Sequence, residues 1–149
     1  MIALQKILVP TDLSKSSASA LQYAKELTEK FAGSLYVLHV LDEMPNVPGF
    51  VPQLRKIWEE MASQGRRQLE QLLSEEERQR LRARLVVRTG RPFVEILRYA
   101  REEGIDLIVM GTQGTGGHPH TFMGSIAEHV VRIAPCPVLA VHPPGQGTR

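Results

Sequence analysis

Leu107-Ile108-Val109-Met110-Gly111-Thr112-Gln113-Gly114, nine further residues, then Gly124-Ser125-Ile126-Ala127 is the stretch on which the reading of this chain turns. Four consecutive apolar residues ended by glycine have the length of a strand buried on both faces. From Ser125 the period changes: Ile126, Ala127, Val130, Val131 and Ile133 recur at helical spacing. A glycine-bearing loop between a strand end and a helix start lets a backbone approach an anion. Glycine removes the Cβ obstruction, and the first-turn N–H groups of the helix point at whatever sits there. The stretch predicts a βα unit carrying a phosphate-binding site. The competing reading is a tight turn that holds no ligand.

The same alternation extends in both directions. Ile7-Leu8-Val9, closed by Pro10, reads as a buried strand. Ser14, Ser16 and Ser17 offer N-caps for a helix carrying Ala20, Leu21, Ala24, Leu27 and Phe31, stopped by Gly33. Residues 35–41 form a second strand, apolar except for His39, and Pro45, Pro48, Gly49 and Pro52 mark a loop over 42–52. Ile57, Met61, Leu69, Leu72 and Leu73 predict a helix over 54–73, weakened by Gly65. Ser74 with Glu77 resembles a capping box. Leu85-Val86-Val87 gives a third strand, ending in Thr89-Gly90. Pro92 opens a helix with Phe93, Ile96, Leu97 and Ala100 inward, closed by Gly104. Pro135-Cys136-Pro137 breaks the last helix before a strand over Val138, Leu139, Ala140 and Val141, and a Pro- and Gly-rich tail follows.

Five apolar strands separated by helices predict an α/β fold. Residues 1–149 form one domain, a doubly wound parallel sheet with helices on both faces. Ligands of such sheets bind beyond the carboxyl ends of the strands, where strand order reverses. Pro10-Thr11-Asp12, Val40-Leu41-Asp42 and the glycine loop meet there. An acidic side chain beside a phosphate loop suits a nucleotide, with Asp12 accepting from ribose or base and Gly111–Gly114 and Ser125 holding phosphates. Asp12 and Ser125 also have a plainer reading as helix caps.

Composition narrows the function. Hydrophobic residues at 42% and charged ones at 23% describe an ordinary globular chain, and a net charge of +2 gives no case for nucleic acid. Eight arginines between Arg66 and Arg91, interleaved with Glu70, Glu75, Glu76 and Glu77, read as solvated helix surface. No apolar run approaches the roughly 20 residues of a membrane span. Met1–Ile7 enters a strand directly and does not read as a signal peptide. One cysteine, Cys136, forms no internal disulfide, so a reducing cytoplasm is expected. His118 and His120 lack the third ligand that zinc needs, so no metal site is assigned. The Gly-x-x-x-x-Gly-Lys-Ser/Thr loop and the Gly-x-Ser-x-Gly elbow are both missing, and no catalytic residue is assigned.

At these residues the chain resembles the nucleotide-binding branch of the universal stress protein family. Gly111-x2-Gly114-x9-Gly124-Ser125 is similar to its ATP-binding signature. Lys6-Ile7-Leu8-Val9-Pro10-Thr11-Asp12-Leu13-Ser14, Leu38-His39-Val40 and Ala134-Pro135-Cys136-Pro137-Val138 resemble its other landmarks, in order, over nearly the whole chain. The resemblance implies a five-stranded sheet of order 3-2-1-4-5 and a homodimer, often joined through the last strand. It also implies ATP, or AMP or ADP, bound across the first, second and fourth strand ends, with Mg as a possible companion. Pro10, Thr11, Asp12 and Val40 would surround adenosine. Met110, Gly111, Thr112, Gln113, Gly114, Thr115, Gly116 and Gly117, with Gly124, Ser125, Ile126 and Ala127, would bracket ribose and phosphates. Members are generally stress-response regulators or binders in which any hydrolysis is slow.

The loop interior departs from the family pattern. Thr115-Gly116-Gly117-His118-Pro119-His120-Thr121-Phe122-Met123 contains no lysine or arginine, and only His118 or His120 supplies charge when protonated. Free histidine titrates near 6.5, so that charge is partial at neutral pH. The departure favours a mono- or diphosphate over the triphosphate. The expected function is an adenine-nucleotide-binding regulator; the alternatives are a slow ATPase or phosphotransferase and a nucleotide-free dimer that works by partner contact.

Overall fold

The structure, a computed structural model, describes residues 2–43, 52–113 and 123–143. Among these the elements run β1 (Lys6–Pro10), α1 (Lys15–Lys30), β2 (Ser34–Leu41), α2 (Pro52–Glu70), α3 (Glu75–Arg80), β3 (Arg84–Thr89), α4 (Pro92–Glu103), β4 (Leu107–Gly111), α5 (Ser125–Ile133) and β5 (Val138–Val141). The central strands send apolar side chains to both faces, because residues alternate across a strand and nearly every position is apolar. Ile7, Val9, Leu35, Val37, Leu107 and Val109 pack on one face with Ala20, Leu21 and Ala24 of α1 and with Leu69 and Leu73. Leu8, Tyr36, Leu38, Ile108 and Met110 pack on the other with Ile96, Leu97 and Ala100 of α4 and Ala127 and Val130 of α5.

The sheet is parallel throughout, in the order β3-β2-β1-β4-β5. The chain winds outward from β1 to β3 under α1, α2 and α3, then crosses to β4 and β5 under α4 and α5. Strand order therefore reverses between β1 and β4, and a crevice opens at their carboxyl ends. No described helix is long and apolar enough to cross a membrane.

Helix boundaries follow local chemistry. Ser14 caps α1, accepting from the Ser17 N–H at 3.3 Å, so Ser16 and Ser17 fall inside the helix. The Ser74–Glu77 capping box forms in both directions, at 3.1 and 3.0 Å. Pro92 opens α4 and Gly104 closes it. Three expectations need correction. Phe31 is the C-cap of α1 and lies exposed rather than inward, with Ala32, not Gly33, taking the left-handed conformation at φ 53°. Ile57 and Met61 of α2 are exposed, and only the C-terminal half of that helix reaches the core. The arginine cluster is not all helix surface. Arg84 and Arg88 stand on β3, their guanidinium groups 5.5 and 4.9 Å from the rings of Tyr36 and Tyr99. Flat cations on the edge strand β3 thus cover the rings of Tyr36 on β2 and Tyr99 on α4, an interaction that a linear charge pattern does not reveal. The expected loop over 42–52 and the Pro- and Gly-rich tail lie largely outside the described residues.

Candidate functional site

Beyond Pro10 the chain must turn from strand into helix over very few residues. The Thr11 N–H still bonds to Leu38 across the sheet, at 2.8 Å. Leu13 then adopts a left-handed φ of 67°, a conformation that costs a branched residue about 1–2 kcal/mol. Local hydrogen bonds hold it there. The Leu13 N–H donates to Thr11 Oγ1 at 2.9 Å, and Asp12 Oδ1 accepts from the Ser14 N–H at 3.0 Å and the Ser17 hydroxyl at 2.7 Å. Asp12 thus braces the turn upstream of the Ser14 cap while remaining at the surface.

The β4 end is fixed by steric demand. A Cβ on Gly111 would stand 2.2 Å from Ser16 Oγ and 2.9 Å from the Ser16 backbone. Glycine at this position lets β4 abut the first turn of α1, a requirement independent of any ligand. Thr112, fully buried, donates its N–H to Val141 at 3.0 Å and pairs Oγ1 with His142 Nδ1 at 3.3 Å. The Gly124 N–H returns to the Thr112 carbonyl, and the Gln113 N–H reaches Ser16 Oγ at 3.4 Å. The two feet of the glycine loop are therefore tied together. Gly114, Thr115, Gly116, Gly117, His118 and His120 lie outside the described residues.

Gly124, not Ser125, is the N-cap of α5. It has extended backbone angles, φ −68° and ψ 161°, and no side chain to cap the first turn. Ser125 is the first helical residue and is exposed. At a terminus capped by glycine the first-turn amides keep their affinity for an anion, and the helix dipole adds to it. His129 donates Nδ1–H to the Ser125 carbonyl at 2.6 Å and stacks on Phe93 with ring centroids 4.9 Å apart.

These ends enclose one cleft of about 1130 Å³. Of the residues singled out from sequence, Pro10, Thr11, Asp12, Val40, Met110, Gly111, Thr112, Gly124, Ser125, Ile126 and Ala127 line it together. A wall that the sequence reading did not assign comes from α2: Trp58, Met61, Ala62 and Gly65. Gly65 is buried, and a Cβ on it would meet His39 Nε2 at 3.3 Å. The residue that weakens helix propensity is the one that lets α2 lie close over β2. His39 donates Nδ1–H to the Thr11 carbonyl at 2.8 Å, since a carbonyl can only accept. In sequence the spacing Leu54, Ile57, Trp58, Met61 gives an apolar stripe, and only the structure shows that Leu54, Ile57 and Met61 are too exposed to be core.

Ionisable chemistry around the cleft is modest. No group of three His, Cys, Asp or Glu side chains able to hold a metal occurs among the described residues. Cys136 is half-buried, and that burial pushes its thiol up, which keeps it protonated and unreactive.

Comparison with known proteins agrees with this geometry. The model of the universal stress protein family matches residues 3–142. A universal stress protein of Methanocaldococcus jannaschii is 33% identical over 142 residues, spanning 94% of this chain and 83% of its own. The solved universal stress protein UspA from Lactobacillus plantarum superposes with a TM-score of 0.82 at 26% identity, covering 95% of this chain and 99% of that one. An Arabidopsis thaliana family protein solved with AMP bound has a TM-score of 0.66 at 18% identity, covering 97% and 95%, a distance at which the likeness concerns fold alone.

Proposed function

The chain belongs to the universal stress protein family, and from that premise we propose that it binds an adenine nucleotide in this cleft as a cytoplasmic regulator. ATP, ADP and AMP are the candidates. The observation that carries the reading is the meeting, in one cleft, of the β1, β2 and β4 ends with the glycine-capped N-terminus of α5. A helix start with no side-chain cap suits phosphate, and the apolar Val40 and Met110 beside the polar Thr11 and Asp12 suit adenosine. Pro10 completes the adenosine end. Gly111, Thr112, Gln113, Gly114 and the glycines after it, with Gly124, Ser125, Ile126 and Ala127, take ribose and phosphates. Any Mg²⁺ would arrive with the nucleotide, held by phosphate oxygens and the waters it retains.

The reading assigns no turnover. Phosphoryl transfer needs positioned metal ligands and a group that orients water. Asp12, one of two acids lining the cleft with Asp42, already spends Oδ1 on two hydrogen bonds that hold the β1–α1 turn. Regulation then rests on how the bound nucleotide orders the site and on a homodimer joined through β5, which lies at the sheet edge with Leu139 exposed.

Calorimetry tests the reading. ATP, ADP or AMP should bind near one per subunit, and Asp12→Ala and Gly114→Val should each weaken binding about tenfold, the scale of one lost hydrogen bond to a charged or polar group. Isotherms unchanged in both variants would reject the site as drawn.

A further inference from the structure

Trp58 is the only tryptophan of the chain. It stands on α2 within the stripe Leu54, Ile57, Trp58 and Met61, whose spacings of three and four residues put all four on one helix face. Such a stripe normally turns to the core. Here it does not: Leu54, Ile57 and Met61 are 46%, 52% and 65% exposed. The cleft side of this face is Trp58 and Met61, which line the cleft together with Asp12, Val40 and Met110. The indole is also aimed. Its Nε1–H donates to the Asp42 carbonyl at 3.2 Å, two residues beyond Val40, so the ring is tethered to the carboxyl end of β2.

We propose that Trp58, with Met61 beside it, is the base-recognising wall of the cleft, a platform on which the purine ring of the nucleotide stacks. The proposal rests on the nucleotide-binding reading and adds to it the element and side chain that grip the base. An indole whose edge is satisfied by a backbone carbonyl presents only its apolar faces, and those attract a flat base. The Met61 thioether, soft and polarizable, lies on the same helix face as the ring. Stacking tolerates any base, so this wall provides base affinity, while the discrimination of adenine falls to the polar Thr11 and Asp12 that follow β1.

Because the tryptophan is unique, its emission reports on this wall directly. AMP titrated into the wild-type protein should quench or shift that emission, whereas inorganic tripolyphosphate should not. In calorimetry Trp58→Leu should weaken AMP about tenfold, within the range measured for base–aromatic stacking, and Trp58→Phe should lose far less. Tripolyphosphate affinity should be the same in all three proteins, which a general loosening of the cleft would not allow. AMP affinity unchanged in Trp58→Leu, or wild-type emission unmoved at saturating AMP, overturns the inference and leaves the nucleotide reading standing. A wild-type protein that binds no AMP overturns both. Should the leucine variant fail to fold, the wild-type emission and the phenylalanine variant decide the matter.

Discussion

Gly111 carries two readings that sequence alone cannot separate. Its spacing reads as part of a phosphate loop, yet a Cβ placed on it would meet Ser16, whose backbone and hydroxyl leave it no room. Gly111→Ala should therefore destabilise the protein by about 1–3 kcal/mol in urea unfolding, as an overpacked contact between β4 and α1. An unchanged midpoint would show that the contact yields freely. Tyr99 makes a different prediction. It is buried, and burial pushes its phenol up to about 12, with neighbouring Glu103 and Tyr36 acting in the same direction. A raised acid keeps its proton in the fold after the unfolded chain has lost it. Its contribution is intact below the ordinary tyrosine value near 10 and falls as pH rises from there towards 12, by roughly 1–3 kcal/mol. Tyr99→Phe should flatten that alkaline limb in thermal melts; an equally steep decline in the variant would mean that other groups cause it.

At the scale of elements, the strands and helices were legible because their periods are clean. Ile7-Leu8-Val9 and Leu107-Ile108-Val109-Met110 cannot be anything but buried strands between helical patterns, and the Pro92–Gly104 punctuation brackets α4 to the residue. What periodicity does not say is where an apolar face is directed. The stripe on α2 reads the same whether it meets core, cleft or solvent, so Trp58 and Met61 could not be assigned from spacing. Gly65 was read as a flaw in α2; it is the point at which that helix touches His39. Gly65→Val should lift α2 from β2, moving Trp58 away from the base and weakening AMP severalfold in calorimetry, with a shifted tryptophan emission in the free protein. Unaltered emission and affinity would show that α2 holds its place without the close contact. Ser125 and Asp12 belong to the same lesson. Both were legible as cap or ligand residues, but only the backbone decides that Gly124 caps α5 and Ser14 caps α1.

For the whole molecule, alternation of strand and helix implies a parallel sheet, and the rule of right-handed crossovers limits its topologies. Strand order itself came from family resemblance, because local periodicity contains no information about which strands pair. The order β3-β2-β1-β4-β5 leaves β3 and β5 as edges, and the two are protected differently. Along β3, Arg84 and Arg88 lie over tyrosines and pair with Glu103, Glu95 and Glu102, charges that discourage edge-to-edge contact. On β5, Leu139 is exposed, and Val131 and Ile133 of the adjacent α5 are exposed too. This asymmetry makes β5 the edge through which the proposed homodimer would pair. Leu139→Lys should convert a dimer to monomer in size-exclusion chromatography with light scattering, leaving nucleotide affinity intact. A wild-type protein that is monomeric at micromolar concentration would remove β5 from the account.

The central claim is that the crevice between β1 and β4 holds an adenine nucleotide with its phosphates at the start of α5 and its base towards α2. A crystal structure grown with AMP tests it most directly. The account predicts phosphate oxygens within hydrogen-bond distance of the amides of Ser125, Ile126 or Ala127 and a purine ring against Trp58. AMP seated elsewhere, or the crevice filled by the chain's own side chains, would contradict it.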